Sequence, residues 1–109
     1  MLELWQTEWC PASRRIRARL TELGVDYLTR QVPVDKEQRE LLRRATGSDT
    51  IPALVLEDGS VAIGEEPIRH YLHEHVAVPA EAEAHQLKAA KAHRRYLEEE
   101  CECLQPAIR

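Results

Sequence analysis

The segment Trp9-Cys10-Pro11-Ala12-Ser13 is the most informative part of the sequence, because it places a cysteine where a strand pattern is followed by a helix pattern. Residues 2–6 before it alternate apolar and polar side chains, which is the pattern of a half-buried strand. Pro11 favours the first turn of a helix, since that position needs no backbone N–H and suits the fixed φ of proline. We therefore predict that Cys10 lies between a first strand and the N-terminus of a first helix.

Local signals of the same kind predict the elements that follow. Glycines end two helical patterns, a β-branched segment separates them, and Asp58-Gly59 between two apolar segments predicts a tight hairpin. The predicted elements are a helix from Pro11 to Leu23, a strand within residues 25–34, a helix capped by Asp35 that carries Leu41, Leu42 and Ala45, a hairpin of residues 53–56 and 61–63, a helix from Glu65 to about His73, and a long helix from Ala80 to about Cys103.

The order β-α-β-α-β-β-α predicts an α/β fold with a parallel βαβ half and an antiparallel hairpin half. We predict one domain over residues 1–76 and a linker with a C-terminal helical extension over residues 77–109. The last helix carries an apolar stripe that includes Leu87, Ala90 and Leu97. Two arrangements stay open for this stripe: packing on its own domain, or a homodimer through the C-terminal helix.

Composition excludes several classes of protein. The chain of 109 residues has room for one domain, and its net charge of −4 argues against a nucleic-acid partner. It contains no run of about 18 apolar residues and no basic, then apolar N-terminal segment, so we expect neither a membrane span nor a secretory signal. Three cysteines cannot form a closed disulfide framework, which favours a reducing compartment and a cytoplasmic location.

Cys10 is the residue with the strongest case for chemistry. A thiol reacts as its thiolate, and the unpaired N–H groups and partial positive charge of a helix N-terminus stabilise that anion. Arg14, one turn further on, is expected to add a favourable charge, whereas Glu8 is expected to raise the pKa of the thiol. Ser13 stands where a second cysteine would be needed for a disulfide cycle within this segment. The sequence therefore favours single-cysteine chemistry.

The Cys-Pro-x-Ser segment resembles the Cys-Pro-x-Cys segment of glutaredoxins, with serine replacing the second cysteine, and it also resembles cysteine-type glutathione S-transferases. Residues 46–52 are similar to the threonine-glycine-x-x-threonine-valine-proline segment of glutaredoxins. Residues 63–72 are similar to the end of a transferase N-terminal domain, although Gly64-Glu65 stands where transferases have glutamate-serine. The resemblance covers roughly residues 2–75 and implies a thioredoxin-like, glutaredoxin-type fold.

The same resemblance implies a glutathione site. Pro52 is expected to follow a cis peptide bond, which leaves the Ile51 backbone free to pair with the cysteinyl part of glutathione. The residues implied as ligands are Thr50, Ile51 and Pro52 beside the cysteinyl part, Glu65 and Glu66 at the γ-glutamyl amino group, and Arg43 at the glycine carboxylate. Helix capping is an equally simple role for Glu65 and Glu66, and a surface position is a simpler one for Arg43.

These observations predict a monothiol glutaredoxin-like oxidoreductase that uses Cys10 with glutathione or another small thiol. Its partners would be glutathionylated or disulfide-containing proteins. Two alternatives stay open: a non-catalytic thiol-binding or interaction module, and an iron–sulfur cluster bridged by two chains, which proline after the cysteine disfavours. Full glutathione transferase activity is not expected from this stretch alone. Cys101 and Cys103 point about 200° apart on a helix and are not expected to bind a metal together.

Overall fold

A computed structural model describes the backbone of residues 1–98 and the side chains of residues 1–95. The predicted element order is confirmed, with one additional 3-10 turn. The strands are β1 (Leu2–Gln6), β2 (Tyr27–Gln31), β3 (Ala53–Val55) and β4 (Val61–Ile63), and the helices are α1 (Pro11–Glu22), α2 (Glu40–Thr46), α3 (Glu65–His75) and α4 (Ala82–Glu98), with the 3-10 turn at Lys36–Gln38.

The four strands form one mixed sheet in the order β2-β1-β3-β4. β1 pairs with β2 in parallel, while β3 is antiparallel to both β1 and β4. In one row of this sheet Trp5 lies opposite Ala53, which lies opposite Ile63. The predicted parallel half and hairpin half are therefore both present. The Asp58 side chain accepts a hydrogen bond from the Ser60 N–H at 2.9 Å and thereby closes the predicted hairpin turn.

Two apolar clusters lie on opposite faces of the sheet. The larger joins the sheet to α1 and α3, and the smaller joins it to α2. Aliphatic side chains dominate the first cluster because the chain contains no phenylalanine. Its buried members are Leu2, Leu4, Ile16, Leu20, Leu23, Leu54, Ile68 and Leu72, and those of the second are Trp5, Val32, Leu42 and Ala53.

The segment between β2 and α2 differs from the sequence-based expectation. Asp35 accepts a hydrogen bond from the Glu37 N–H at 3.0 Å, and it caps the 3-10 turn rather than α2. The physical reason is the buried Arg39 side chain, which donates to the carbonyls of Pro33, Val34 and Asp49 at 2.8, 3.2 and 2.9 Å. These bonds fix the chain before α2, so the helix begins only at residue 40.

The long helix α4 packs on α1 through its first turns. Ala82 is buried, and the Gln86 amide donates to the Glu22 carboxylate at 3.2 Å, whereas Leu87 is 66% exposed. The predicted end of this helix, including Cys101 and Cys103, lies outside the described residues. Within residues 1–98 no helix is both long and apolar enough to cross a membrane.

Candidate active site

The sheet topology brings three loops to one end. β1 runs towards this end, and its antiparallel neighbour β3 starts there, so the loop after Gln6 and the turn before Ala53 are adjacent. β4 is antiparallel to β3 and ends there at Ile63. The segments that carry Cys10, Pro52 and Glu65 follow or precede these strand ends directly. Residues that are up to 55 positions apart thus share one end of the sheet.

Cys10 is the N-cap residue of α1. Its backbone is extended, with φ −76° and ψ 119°, and its sulfur accepts a hydrogen bond from the Ser13 N–H at 3.5 Å. The first turn of α1 contains no acidic residue, so no carboxylate competes for its N–H groups. Cys10 is a half-buried free thiol. The sequence-based placement of the thiol at a helix N-terminus is therefore confirmed.

The surroundings of Cys10 lower its thiol pKa. Partial burial raises the pKa, but it is outweighed by the Ser13 hydroxyl, by the N–H groups of Ser13 and Ala12, and by the charge of Arg15. The Ser13 hydroxyl is fully buried, and among the described residues it completes no hydrogen bond of regular geometry. Its dipole nevertheless favours the thiolate.

The two charged neighbours expected from sequence behave differently from the prediction. Glu8 makes an ion pair with Arg17 at 3.3 Å and accepts a hydrogen bond from Gln6 at 3.1 Å. Its carboxylate is thus engaged by Arg17 and Gln6, and the pKa of Cys10 is lowered although Glu8 lies nearby in sequence. The helpful cation is Arg15 rather than Arg14.

Arg15 links the first turns of α1 and α3. Its Nε and Nη2 atoms donate to the two oxygens of Glu65 at 2.7 and 2.8 Å, which is a bidentate pair. Arg69, one turn along α3, donates to the same carboxylate at 3.2 Å. The Arg15 hydrogen bonds are the main reason that the pKa of Glu65 falls to about 2. Sequence reasoning missed both arginines, although the i,i+4 spacing of Glu65 and Arg69 was a usable signal.

The turn before β3 has the predicted cis peptide bond between Ile51 and Pro52. Pro52 is fully buried, and its carbonyl accepts a hydrogen bond from the Gly64 N–H at 2.8 Å, which joins this turn to the start of α3. Thr50 is exposed, and its N–H donates to the Ser48 hydroxyl. Ile51 packs on the smaller apolar cluster, and among the described residues its backbone makes no hydrogen bond.

The remaining predicted ligands lie on helix surfaces. Arg43 donates to the carbonyls of Lys36 and Glu37 at 2.8 and 3.0 Å, so it stabilises the 3-10 turn before α2. Glu66 is exposed in the first turn of α3. Binding of glutathione by these two residues stays a prediction. Among residues 1–95 no three side chains of the metal-binding types form a group that could hold a metal ion.

The family model described as "Glutathione S-transferase, N-terminal domain" matches residues 9–75, which span Cys10, Pro52 and all of α3. Comparison with curated protein sequences finds no significant match.

Several solved structures with a similar fold are glutathione transferases or homologues of them. A glutathione S-transferase from Sinorhizobium meliloti 1021 is 27% identical with a TM-score of 0.62, over 68% of this chain and 32% of that one. A glutathione S-transferase domain-containing protein from Marinobacter aquaeolei VT8 is 25% identical with a TM-score of 0.60, over 72% and 40%. A glutathione transferase homologue from Sulfitobacter, solved with bound glutathione, shares the fold at 20% identity and a TM-score of 0.62, over 88% and 49%. The chain thus spans between a third and a half of each of these proteins.

Proposed function

Because the chain belongs to the glutathione S-transferase N-terminal domain family, we propose that it acts as a monothiol thiol–disulfide oxidoreductase through Cys10. The observation that carries this proposal is the Cys10 sulfur at the N-terminus of α1, with a lowered thiol pKa and Arg15 nearby. The thiolate is the form of cysteine that attacks disulfides, and a lower pKa increases its share at neutral pH. Glutathione, or another small thiol of the same reactivity, would be the co-substrate.

The reaction proceeds in two exchanges. The Cys10 thiolate attacks the glutathione sulfur of a glutathionylated protein, a new S–S bond forms, and the protein sulfur leaves as a thiolate that takes up a proton. A second glutathione thiolate then attacks the glutathione sulfur on Cys10, which releases glutathione disulfide and the Cys10 thiolate. The glutathione is oxidised, and the protein disulfide is reduced. Ser13 cannot resolve the mixed disulfide, so a second small thiol is required, as a reducing compartment would provide.

Features around the thiol support a glutathione site beside it. The Ile51 backbone next to the cis peptide bond is available for strand-like pairing with the cysteinyl part of the ligand, and Thr50 lies next to it on the surface. Glu66 at the start of α3 has no ion-pair partner among residues 1–95, so its carboxylate is available for an ammonium group. Glu65 is less available because Arg15 and Arg69 already hold it. We propose Glu66 rather than Glu65 as the main contact for the γ-glutamyl amino group.

Intact mass measurement after incubation with glutathione disulfide tests the proposal. We expect one glutathionyl adduct that forms within minutes at pH 7 and is removed by added glutathione. Cys10→Ser should abolish this adduct, while the double substitution of Cys101→Ser with Cys103→Ser should retain it. Adducts confined to Cys101 and Cys103, or none at all, would contradict the redox proposal and leave the family assignment untouched.

A second candidate function rests on α4. Its Leu87 side chain is 66% exposed, and the other described side chains of α4 beyond Ala82 are exposed as well. This surface favours an interaction module that forms a homodimer through the C-terminal helix. Light scattering after size exclusion distinguishes the cases: Leu87→Glu should convert a dimer to a monomer, whereas a monomeric wild-type chain at high concentration would contradict the dimer.

A further inference from the structure

A polar cavity lies between α1, α3 and α4, remote from the thiol. Arg19 and Glu22 of α1, Arg69 and His73 of α3 and Gln86 of α4 line it, and its volume is about 450 Å³. Arg19 follows Cys10 by nine positions, which corresponds to roughly 13 Å along the helix axis. The cavity therefore faces a different part of the helical layer from the proposed glutathione site.

Among the described residues that line the cavity, Glu22 is the one acidic side chain, and it is already paired. The Glu22 carboxylate makes an ion pair with Arg19 at 3.0 Å and accepts a hydrogen bond from the Gln86 amide at 3.2 Å. Its side chain is only 18% exposed, so these partners hold it in one position. Glu22 thus holds the Arg19 guanidinium in position, and its own negative charge is offset by this ion pair.

Arg69 supplies positive charge that its own partner does not balance. Its Nε atom pairs with Glu65 at 3.2 Å, but Arg15 already binds both oxygens of that carboxylate at 2.7 and 2.8 Å. Across this layer three guanidinium groups, those of Arg15, Arg19 and Arg69, thus share the two carboxylates of Glu22 and Glu65. Counted with the Cys10 thiolate that the proposed function requires, these charges balance, so the attraction of the cavity for an anion rests on the hydrogen-bond donors of Arg19 and Arg69 rather than on a net excess of charge.

Hydrogen-bond donors remain free on the same side chains. A guanidinium has five N–H donors, and within residues 1–95 the Nη atoms of Arg69 and the Nη2 atom of Arg19 donate to no other residue. His73 adds a ring nitrogen from the next turn of α3. Donors on two helices therefore converge on a space large enough for a tetrahedral oxyanion, whose several oxygens can accept from separate side chains.

From this geometry we infer that the cavity binds a phosphoryl group, either as free phosphate or on a small phosphate ester. Arg19 and Arg69 provide charge-assisted hydrogen bonds, and His73 provides a further donor. A volume of about 450 Å³ between three helices fits a small ligand better than an acidic peptide or a nucleic acid. The inference does not depend on the reactivity of Cys10.

The test is a titration of the full chain with inorganic phosphate, followed by amide NMR shifts at constant pH and ionic strength. We expect saturable shifts in α1, α3 and α4 around the cavity, and at least about tenfold weaker binding in Arg19→Gln. The matched control is Arg44→Gln, since Arg44 also pairs with a glutamate on its own helix but lies on α2. This control should bind phosphate like the wild type.

Two further variants keep the result interpretable if Arg19→Gln fails to fold. Arg19→Lys keeps the charge but loses the planar fork, and His73→Ala removes an exposed donor; each should weaken binding severalfold. Tighter binding of glycerol 3-phosphate than of phosphate would identify an ester as the ligand, and equal or weaker binding would identify free phosphate. Shifts that do not saturate, or equal losses in Arg44→Gln, would overturn the inference.

Discussion

The helices α1 and α3 begin at the same end of the sheet, yet their N-termini are occupied differently. α1 begins with a cysteine sulfur as its cap and has no acidic residue in its first turn. α3 begins after Gly64, whose φ of 94° lies in the region that favours glycine, and its first turn carries two glutamates. Both ends offer unpaired N–H groups and partial positive charge. The Cys10 sulfur caps α1, whereas among the described residues no side chain caps α3, and Glu65 in its first turn pairs with Arg15 and Arg69 instead.

Arg15 makes the two ends depend on each other. It holds the Glu65 carboxylate in a bidentate pair and also favours the Cys10 thiolate by its charge. The charge of Arg15 therefore lowers the pKa of both the Cys10 thiol and the Glu65 carboxyl group. At the N-terminus of α1, a first turn free of acidic residues and a cation anchored by the neighbouring helix together favour the thiolate.

The largest expected effect is on the free energy of unfolding, and it distinguishes the contribution of core packing from that of the ion pair. Ile68 of α3 is fully buried in the core, so Ile68→Ala should lower the free energy of unfolding by about 2–5 kcal/mol. Glu65→Gln removes the partly exposed ion pair, and it should cost no more than about 1 kcal/mol. Urea unfolding measures both. Equal losses would show that the ion pair stabilises α3 as much as the buried Ile68 side chain does, contrary to this expectation.

An acidic residue in the first turn of α1 should make this turn resemble the first turn of α3, which carries two glutamates. Ala12→Asp places a carboxylate in the first turn, where it competes for N–H groups and repels the thiolate. We expect alkylation of Cys10 by iodoacetamide at pH 7 to slow by about tenfold. Ala12→Asn is the control of equal size, and it should retain most of the reactivity. An undiminished rate in the aspartate variant would contradict this account of the thiolate.

A smaller effect on the thiolate fraction of Cys10 is expected from Arg15, which links the N-termini of α1 and α3. Arg15→Gln removes a cation that lowers the pKa of Cys10, so the thiolate fraction at pH 7 should fall about two- to threefold. Absorbance of the thiolate at 240 nm against pH measures it. Arg14→Gln is the adjacent control and should leave the titration unchanged. The reverse pattern would restore the sequence-based expectation that Arg14 is the helpful cation.

The smallest effect concerns acid stability. Glu65 has a pKa of about 2 in the folded protein against an ordinary value of 4.5. Its contribution to stability is therefore complete above pH 4.5 and is lost as the pH falls towards 2. Unfolding by urea at pH 5 and pH 3 should show a loss in the wild type that is smaller in Glu65→Gln. Parallel losses in the two proteins would assign acid sensitivity to other carboxylates.

Much of the fold and part of the site were predictable from the sequence. Pro11 marks the start of α1, Asp58-Gly59 marks the hairpin, and the cis peptide bond before Pro52 followed from the family resemblance. The position of Cys10 at a helix N-terminus needed only these local signals. Arg39 gave no such signal, because a buried guanidinium bonded to three carbonyls is recognisable only once the chain has folded around it.

The order of elements and the place of the thiol follow from local signals, because turns, caps and apolar periodicity act between residues a few positions apart. Which charges meet depends instead on the tertiary fold. Arg14 and Arg15 are adjacent in sequence and differ by about 100° around the helix. Only the packing of α1 beside α3 brings one of them to Glu65, which is 50 residues away along the chain. Charge pairing over such separations depends on how whole helices pack, and no local pattern encodes it.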